Sequence, residues 1–158
     1  MKGKSVCFTG HRKISKNQIT FVRRRTKEEV FKCIDNGYEI FYTGGALGFD
    51  IIATQIVLDA KKFYPHVKLR LILPCINQTD NRKQENVDKY NKIIAQADSV
   101  EYISQEYQKG CMHERNIIMV DRSSLCIAYL KHKNSGTFYT VSYAADNLVD
   151  IINIHDMN

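Results

Sequence analysis

A glycine-rich stretch carries the most distinctive chemistry in this sequence. Residues 42–50 read YTGGALGFD and connect a strand-like run to a helix-like run. Glycines at such a turn let the backbone bend tightly and present amide N–H groups at the positive end of a helix dipole, where a phosphate can bind without a metal. The stretch therefore predicts a nucleotide-derived ligand. The contacts expected from it are Thr43, Gly44, Gly45, Ala46, Gly48 and Asp50.

Two common nucleotide motifs do not fit this stretch. The turn follows the second strand-like run rather than the first, which argues against an ordinary dinucleotide fingerprint, and no Gly-Lys-Ser/Thr follows it as in a P-loop. Asp50 has two interpretations, because its carboxylate can cap local N–H groups or accept a hydrogen bond from a ribose hydroxyl. Asp50 is also a candidate catalytic carboxylate.

Thr9-Gly10-His11-Arg12 places four useful groups at the end of the first strand-like run. Arg12 can grip a phosphate with two parallel hydrogen bonds. His11 can donate to a phosphate or act as a general acid, although a loop histidine is also a common surface residue. We predict that all four residues contact the ligand.

Two helix starts provide further candidates. At the first helix start, Arg115 can bind phosphate or stabilise a leaving group, and Glu114 is the nearest ionisable base. Asn116 is their polar neighbour. The alternative is that these residues only cap their helix. A second phosphate cradle is predicted where a glycine and two hydroxyls open the last helix. Its residues are Ser135, Gly136 and Thr137.

Strand-like and helix-like segments alternate along the chain, which predicts how these residues are brought together. Alternation with helix-length connections indicates an α/β fold, a Rossmann-like three-layer sandwich with a mostly parallel sheet of about six strands. Ligands of such sheets bind at the carboxyl ends of the strands. The loops after strands one, two, three and five, including Pro74, are expected at that edge. The length of 158 residues predicts a single domain over residues 1–158.

Composition narrows the classes of protein. No apolar run is long enough to span a bilayer, and the first residues lack the pattern of a signal peptide, so a cytoplasmic location is expected. Five scattered cysteines without a C-x-x-C pair predict neither a disulfide framework nor a metal site. The net charge of +6 is concentrated in residues 1–32, which carry ten Lys and Arg against two Glu. This basic region, including Arg23, Arg24 and Arg25, suits an anionic ligand or a nucleic acid, or is simply a solvated face.

Taken in order, these motifs resemble the SLOG superfamily, which includes LOG proteins, the DprA/Smf DNA-processing proteins and the YpsA family. The YpsA branch is the nearest resemblance. It covers almost the whole chain through five segments, namely 9–12, 44–50, Pro74 with Gln78, 115–121 and 136–144. The resemblance implies a Rossmann-like domain whose glycine-rich loops hold a nucleotide or an ADP-ribose-like molecule, and self-association is common in the superfamily.

One departure from the LOG pattern bears on catalysis. LOG enzymes split a nucleoside monophosphate with an arginine, matched here by Arg115, and a glutamate from a Gly-Gly-x-Gly-Thr-x-x-Glu motif. Thr140 occupies the glutamate position, and a hydroxyl cannot stabilise an oxocarbenium-like charge as a carboxylate does. Lys13 and Ser135 also stand where many YpsA relatives have Pro and Gly.

Three functions are therefore weighed. The first is a sensor, regulator or sequestering protein that binds an ADP-ribose- or NAD-like ligand without cleaving it. The second is a hydrolase of N-glycosidic bonds, with Asp50 or Glu114 replacing the missing carboxylate. The third is a DprA-like nucleic-acid binder that uses the basic first helix. We expect a homo-oligomer, a nucleotide-like ligand as the only cofactor, and no metal or membrane partner.

Overall fold

A six-stranded sheet with helices on both faces forms the body of the protein. The computed structural model describes residues 3–156. The strands are β1 (Ser5–Gly10), β2 (Ile40–Thr43), β3 (Lys68–Cys75), β4 (Ser99–Ser104), β5 (Leu125–Tyr129) and β6 (Asp150–Asn153). The helices are α1 (Lys16–Asp35), α2 (Phe49–Phe63), α3 (Gln84–Gln96), α4 (Cys111–Asp121) and α5 (Gly136–Asp146), and a short 3-10 helix spans Ile154–Asp156.

All neighbouring strands are parallel, and their order is β4-β3-β2-β1-β5-β6. The predicted α/β class and Rossmann-like sheet are thus confirmed, and every strand pairing is parallel rather than most of them. The chain builds outward from β1 through β2, β3 and β4, and then returns to place β5 on the other side of β1. The strand order therefore reverses between β1 and β5.

Alternating side chains along the strands feed two apolar layers. On one face, Val6 and Phe8 of β1 pack with buried residues of α1, α2 and α3. On the other face, Cys7 packs with residues of α4 and α5 such as Met119 and Ala144. Because residues of a strand point to opposite faces in turn, one short apolar run supplies both layers. The result is the predicted three-layer sandwich.

Two local predictions from the sequence need correction. Ser15 followed three residues later by Gln18 has the spacing of a capping box, but Ser15, the N-cap of α1, makes no side-chain capping hydrogen bond, so the box does not form. Pro74 does not close β3, which continues to Cys75. Since β2 already ends at Thr43 opposite Leu71, Pro74 lies beyond the last pairing with β2, where its missing N–H costs no hydrogen bond of that ladder.

Candidate ligand-binding site

A cavity of about 500 Å³ opens at the carboxyl ends of β1 and β5. Helices leave these two strands toward opposite faces of the sheet, and the crevice between such loops is where open α/β sheets bind ligands. Its lining comes from loops that are far apart in sequence. The residues are Thr9, Gly10, His11, Arg12, Ala46, Asp50, Tyr107, Gly110, Met112, His113, Arg115, Asn116, Ser135, Gly136 and Thr137.

The loop after β1 is held close to the start of α2. The backbone N–H of Phe49 donates to the carbonyl of His11 at 3.1 Å. A Cβ on Gly10 would overlap the Phe49 ring, so only glycine permits this approach. Arg12 extends from the loop as an exposed side chain, and its guanidinium donates to the sulfur of Met112. Arg12 is therefore placed at the mouth of the cavity with a weak acceptor as its partner.

His11 connects the loop after β1 to the loop after β5. Its Nε2 accepts hydrogen bonds from the backbone N–H groups of Lys131 at 2.8 Å and His132 at 3.1 Å. Burial lowers the pKa of His11, and the nearby His132, His155 and Lys131 lower it further. An Nε2 that accepts twice cannot also donate a proton, so this nitrogen is not a general acid in this arrangement.

The glycine turn after β2 uses its carbonyl oxygens internally. The carbonyl of Gly44 accepts from the guanidinium of Arg115 and from Nε2 of Gln78, the latter at 3.3 Å. The carbonyl of Gly45 accepts from Nη1 of Arg82 at 3.0 Å. A Cβ on Gly44 would overlap the Arg115 guanidinium, so this glycine makes room for a side chain of the protein itself.

Asp50 takes up an amide group that the sequence predicts for a phosphate. Its carboxylate accepts from the backbone N–H of Ala46 at 3.4 Å. Burial raises the pKa of Asp50, and the positive charge of Arg115 opposes that shift. Asp50 is therefore a cap of its turn, one of its two predicted roles, while it also lines the cavity.

Five other predicted contacts in this region lie away from the cavity wall. Thr43 is fully buried and accepts from the hydroxyl of Thr54 at 2.8 Å. Gly44, Gly45 and Gly48 surround the turn without lining the cavity, and Gly45 and Gly48 have positive φ angles of 69° and 81°. Pro74 is buried within β3. These residues shape the site from behind rather than contact its contents.

The start of α4 contributes a buried arginine. Arg115 is only 3% exposed, and it donates to the carbonyl of Gly44, to the carbonyl of Ile72 at 3.5 Å and, through Nε, to Oδ1 of Asn116 at 2.7 Å. Its Nη2 has no hydrogen-bond acceptor among residues 3–156 and belongs to a residue that lines the cavity. Glu114 is exposed and lies outside the cavity lining, so of the two candidate carboxylates only Asp50 faces the cavity.

The start of α5 forms an open wall of the cavity. Ser135 caps the helix, because its hydroxyl oxygen accepts from the backbone N–H of Phe138 at 3.2 Å. A Cβ on Gly136 would meet no atom within 4 Å, so the first turn of the helix is accessible. Thr140, 1% exposed, accepts from Nδ2 of Asn116 at 3.1 Å and donates to the carbonyl of Gly136 at 3.1 Å.

The sequence analysis missed the contribution of the loop after β4 and of the first residues of α4. Tyr107 and Gly110 of the loop and Met112 and His113 of the helix all line the cavity. Gly110 adopts a left-handed φ of 85° directly before α4, which repeats the glycine-then-helix pattern that identified the turn after β2. That pattern was the available signal. Within residues 3–156, no group of three or more His, Cys, Asp or Glu side chains is placed to hold a metal.

A comparison with known protein families shows to which family the chain belongs. The profile of the YpsA family, described as the YspA SLOG family, matches residues 6–155. This chain belongs to the YpsA family. The resemblance drawn from the sequence motifs is therefore confirmed. No helix within residues 3–156 of this YpsA-family chain has the length and apolar character needed to cross a membrane.

Similar curated proteins carry the name UPF0398. A UPF0398 protein from Brevibacillus brevis is 28% identical over 121 residues, which cover 75% of this chain and 64% of that protein. One from Staphylococcus haemolyticus is 26% identical, with 95% of this chain and 83% of that protein covered. The match thus covers less than two thirds of the length of the Brevibacillus brevis protein.

Solved structures of DNA processing protein A share the fold. The protein from Helicobacter pylori, described for its single-stranded DNA binding mode, matches with a TM-score of 0.68 and 20% identity over 93% of this chain and 63% of that chain. The protein from Streptococcus pneumoniae matches with a TM-score of 0.67 and 18% identity over 93% of this chain and 48% of that chain. At sequence identities of 20% and 18%, these similarities show a shared fold.

Proposed function

We propose that this YpsA-family protein binds a nucleotide or nucleotide-derived ligand, of the ADP-ribose or NAD class, in the cavity between β1 and β5. The protein would act through binding, as a sensor, regulator or sequestering protein. A cytoplasmic location, which the sequence composition predicts, and self-association, which the superfamily resemblance implies, accompany this proposal as predictions. The cavity volume of about 500 Å³ falls within the range of about 300 to 1,000 Å³ that is usual for ligand pockets.

One observation carries this proposal. The first turn of α5 opens into the cavity at Gly136, where an added Cβ would meet no atom within 4 Å, and the exposed Arg12 lines the same cavity. A helix N-terminus offers free backbone N–H groups and a positive partial charge, and a guanidinium adds paired donors that match phosphate oxygens. This combination favours a phosphorylated ligand.

Cleavage of the ligand is the less supported alternative. Thr140 is buried and engaged with Asn116 and Gly136, so no carboxylate stands where LOG enzymes have one. Asp50 is the remaining carboxylate in the cavity, and it caps the turn at Ala46. We therefore expect no release of base from AMP or NAD. Release that disappears in Asp50→Asn would instead support the hydrolase.

Isothermal titration with AMP, ADP-ribose and NAD tests binding directly. Gly136→Glu adds a side chain and a negative charge inside the cavity without a steric clash, and an acidic residue suits the first turn of a helix. We expect binding by wild type and its loss in Gly136→Glu. Asn17→Glu adds the same charge to the first turn of α1, outside the cavity lining, and should bind like wild type. Equal binding by all three proteins would contradict the proposed site.

A second candidate function is binding of single-stranded nucleic acid at the cavity rim. Tyr107 and Tyr139 are 61% and 67% exposed, and the ring of His113 stands edge-on to Tyr139 at 5.4 Å. Exposed aromatic rings next to cations are typical of surfaces on which bases stack. The solved DNA processing protein A of Helicobacter pylori adds weight, because its description names single-stranded DNA binding.

The basic first helix is a poor basis for this second candidate. Arg25 is buried and pairs with Glu28 and Glu29. Arg24 also pairs with Glu28, at 3.1 Å. Two of the three arginines predicted to contact nucleic acid are thus neutralised by acids of their own helix. A nucleic-acid site, where present, belongs to the rim of the cavity.

A further inference from the structure

We propose a second binding lobe beside the cavity between β1 and β5, which receives the distal half of a ligand built from two nucleoside or ribose units joined by a diphosphate. This inference rests on the proposed function and specifies the ligand. A second cavity of about 440 Å³ lies against the loop after β3. It shares Arg12, Tyr107 and Met112 with the first cavity, so the two cavities meet along these three residues.

The boundary between the two lobes is a weak contact. The guanidinium of Arg12 donates to the thioether sulfur of Met112, which is a poor acceptor compared with an anionic oxygen. Arg12 is exposed, and the unbranched side chain of Met112 adapts readily. A phosphate oxygen at this boundary would therefore replace the sulfur as the partner of Arg12. The diphosphate of the ligand belongs at this junction.

Hydrogen bonds already fix the loop that forms the second lobe. Gln78 donates to the carbonyl of Gly44 and accepts from the hydroxyl of Tyr90 at 2.9 Å. Oδ1 of Asn77 accepts from the backbone N–H of Tyr107 at 3.1 Å, and Arg82 donates to the carbonyl of Gly45. The loop is therefore tied to the glycine turn and to the loop after β4 before any ligand arrives, which lowers the entropic cost of binding.

Two side chains of this lobe remain available to a ligand. Asp80 and Asn81 are exposed and line the cavity, and their side chains have no hydrogen-bond partner within residues 3–156. A carboxylate accepts from ribose hydroxyls, and an amide both donates to and accepts from a base edge. Leu47 supplies an apolar surface in the same cavity. These groups match a ribose or a nucleoside better than a second phosphate.

A ligand whose two halves occupy both lobes should bind more tightly than a ligand that occupies one lobe. A half that is bound in the first lobe holds the other half at an effective concentration of order mM near the second lobe. We expect ADP-ribose to bind at least tenfold more tightly than AMP, which occupies one lobe. Isothermal titration of the full chain with AMP and ADP-ribose measures this ratio.

Filling the second lobe should remove the additional affinity for ADP-ribose without affecting the first lobe. Asn81→Trp places a large ring in the second lobe, and we expect it to bring the affinity for ADP-ribose to that for AMP while AMP binding stays unchanged. Asn91→Trp, an exposed site on α3 outside the lining of both cavities, is the matched control and should retain the ratio. Thermal unfolding establishes that both variants are folded, and Asp80→Ala, which removes the carboxylate proposed to accept from ribose hydroxyls, provides a second, smaller perturbation that should also lower the ratio.

The outcomes separate the two proposals. Equal affinities for AMP and ADP-ribose in wild type, with AMP binding lost in Gly136→Glu, would overturn the second lobe and retain the proposed function. A tenfold ratio that survives in both Asn81→Trp and Asp80→Ala would also overturn the second lobe. Absence of binding by either compound to folded wild type would overturn the proposed function and the second lobe together.

Discussion

At the scale of single residues, glycines that look alike in sequence have different tasks. Gly44 leaves space for a buried guanidinium, whereas Gly136 leaves a helix N-terminus open to the cavity. Sequence motifs do not distinguish these cases, because both are glycines next to a helix start. The distinction depends on Arg115, which lies 71 positions after Gly44 in the chain and reaches its carbonyl only in the folded protein.

Gly44→Ala should therefore destabilise the protein, while Gly136→Ala should not. A methyl group at position 44 would overlap a guanidinium that is buried and hydrogen-bonded, and overpacking of this kind costs about 1 to 3 kcal/mol of the free energy of unfolding. At position 136 the methyl group meets no atom within 4 Å. Urea denaturation of both variants measures the difference, and equal stabilities would show that Arg115 can move aside.

At the scale of elements, a buried ion pair on α1 is the most consequential contact outside the cavity. Arg25 and Glu29 are 8% and 3% exposed, and Nη2 of Arg25 lies 3.5 Å from Oε1 of Glu29. That Oε1 accepts no hydrogen bond from any residue in the range 3–156. Removal of Arg25 leaves the buried Glu29 with only the ammonium of the exposed Lys32, at 3.5 Å, and this is more costly than replacing both Arg25 and Glu29 with apolar groups.

We expect Arg25→Met to lower the free energy of unfolding by less than a fully unpaired buried charge would, which is about 3 to 5 kcal/mol, because Lys32 still faces Glu29, and the double variant Arg25→Met/Glu29→Leu to recover most of that loss. Chemical denaturation of the two single variants and the double variant forms a complete cycle. The exposed pair of Lys62 and Asp59 on α2, at 3.4 Å, is the control, since its removal should cost less than about 1 kcal/mol. A double variant as unstable as Arg25→Met would contradict the role of the buried charge.

A second prediction at this scale concerns the contact between the loops after β1 and β5. Folding lowers the pKa of His11 below the ordinary value of about 6.5, so the unfolded chain takes up this proton first as the pH falls. The contribution of His11 to stability is therefore complete above pH 6.5 and decreases as the pH drops toward the folded-state pKa. Protonation of Nε2 also removes the acceptor for the amides of Lys131 and His132.

Thermal unfolding across the range from about pH 8 to about pH 5 tests this dependence. His11→Gln should flatten the slope below about pH 6.5, because an amide does not titrate and its oxygen can accept from the same N–H groups. His66→Gln, at an exposed site away from these loops, should keep the wild-type slope. Identical slopes in all three proteins would show that His11 does not set the pH dependence.

The strands and helices were easier to predict from the sequence than the long-range contacts between them. Alternating strands and helices indicated a parallel sheet, because connections of helix length return the chain to the same edge. The strand order and the partners of the glycine turn depended on long-range contacts. Arg82 and Gln78 hold the turn from a loop that looked merely polar, and Met112 was hidden in a stretch without a recognised motif. The motif residues could thus be identified from the sequence. Which of them line the cavity could not be predicted, because that depends on the long-range contacts.

At the scale of the whole molecule, the net charge of +6 overstates the positive surface that is free to bind phosphates. Arg24 and Arg25 are paired with acids on their own helix. Around the cavity, Arg12 is exposed, and the exposed Lys109 and Lys133 lie in the loops that lead to α4 and α5. Only a few phosphates of a bound strand would therefore be neutralised.

A single strand bound across the rim should show a shallow dependence on salt. With about three phosphate contacts and a slope of about 0.7 per contact, log K should fall by about 2 for each tenfold rise in salt. Fluorescence anisotropy with a labelled oligonucleotide measures this slope. Tyr107→Ala/Tyr139→Ala should weaken binding through lost stacking, whereas Arg23→Ala/Arg24→Ala should not. Because Arg12 and Tyr107 also line the cavity between β1 and β5, ADP-ribose bound there as we propose should displace the strand. A much steeper slope, with loss of binding in the arginine variant, would move the nucleic-acid surface to the first helix.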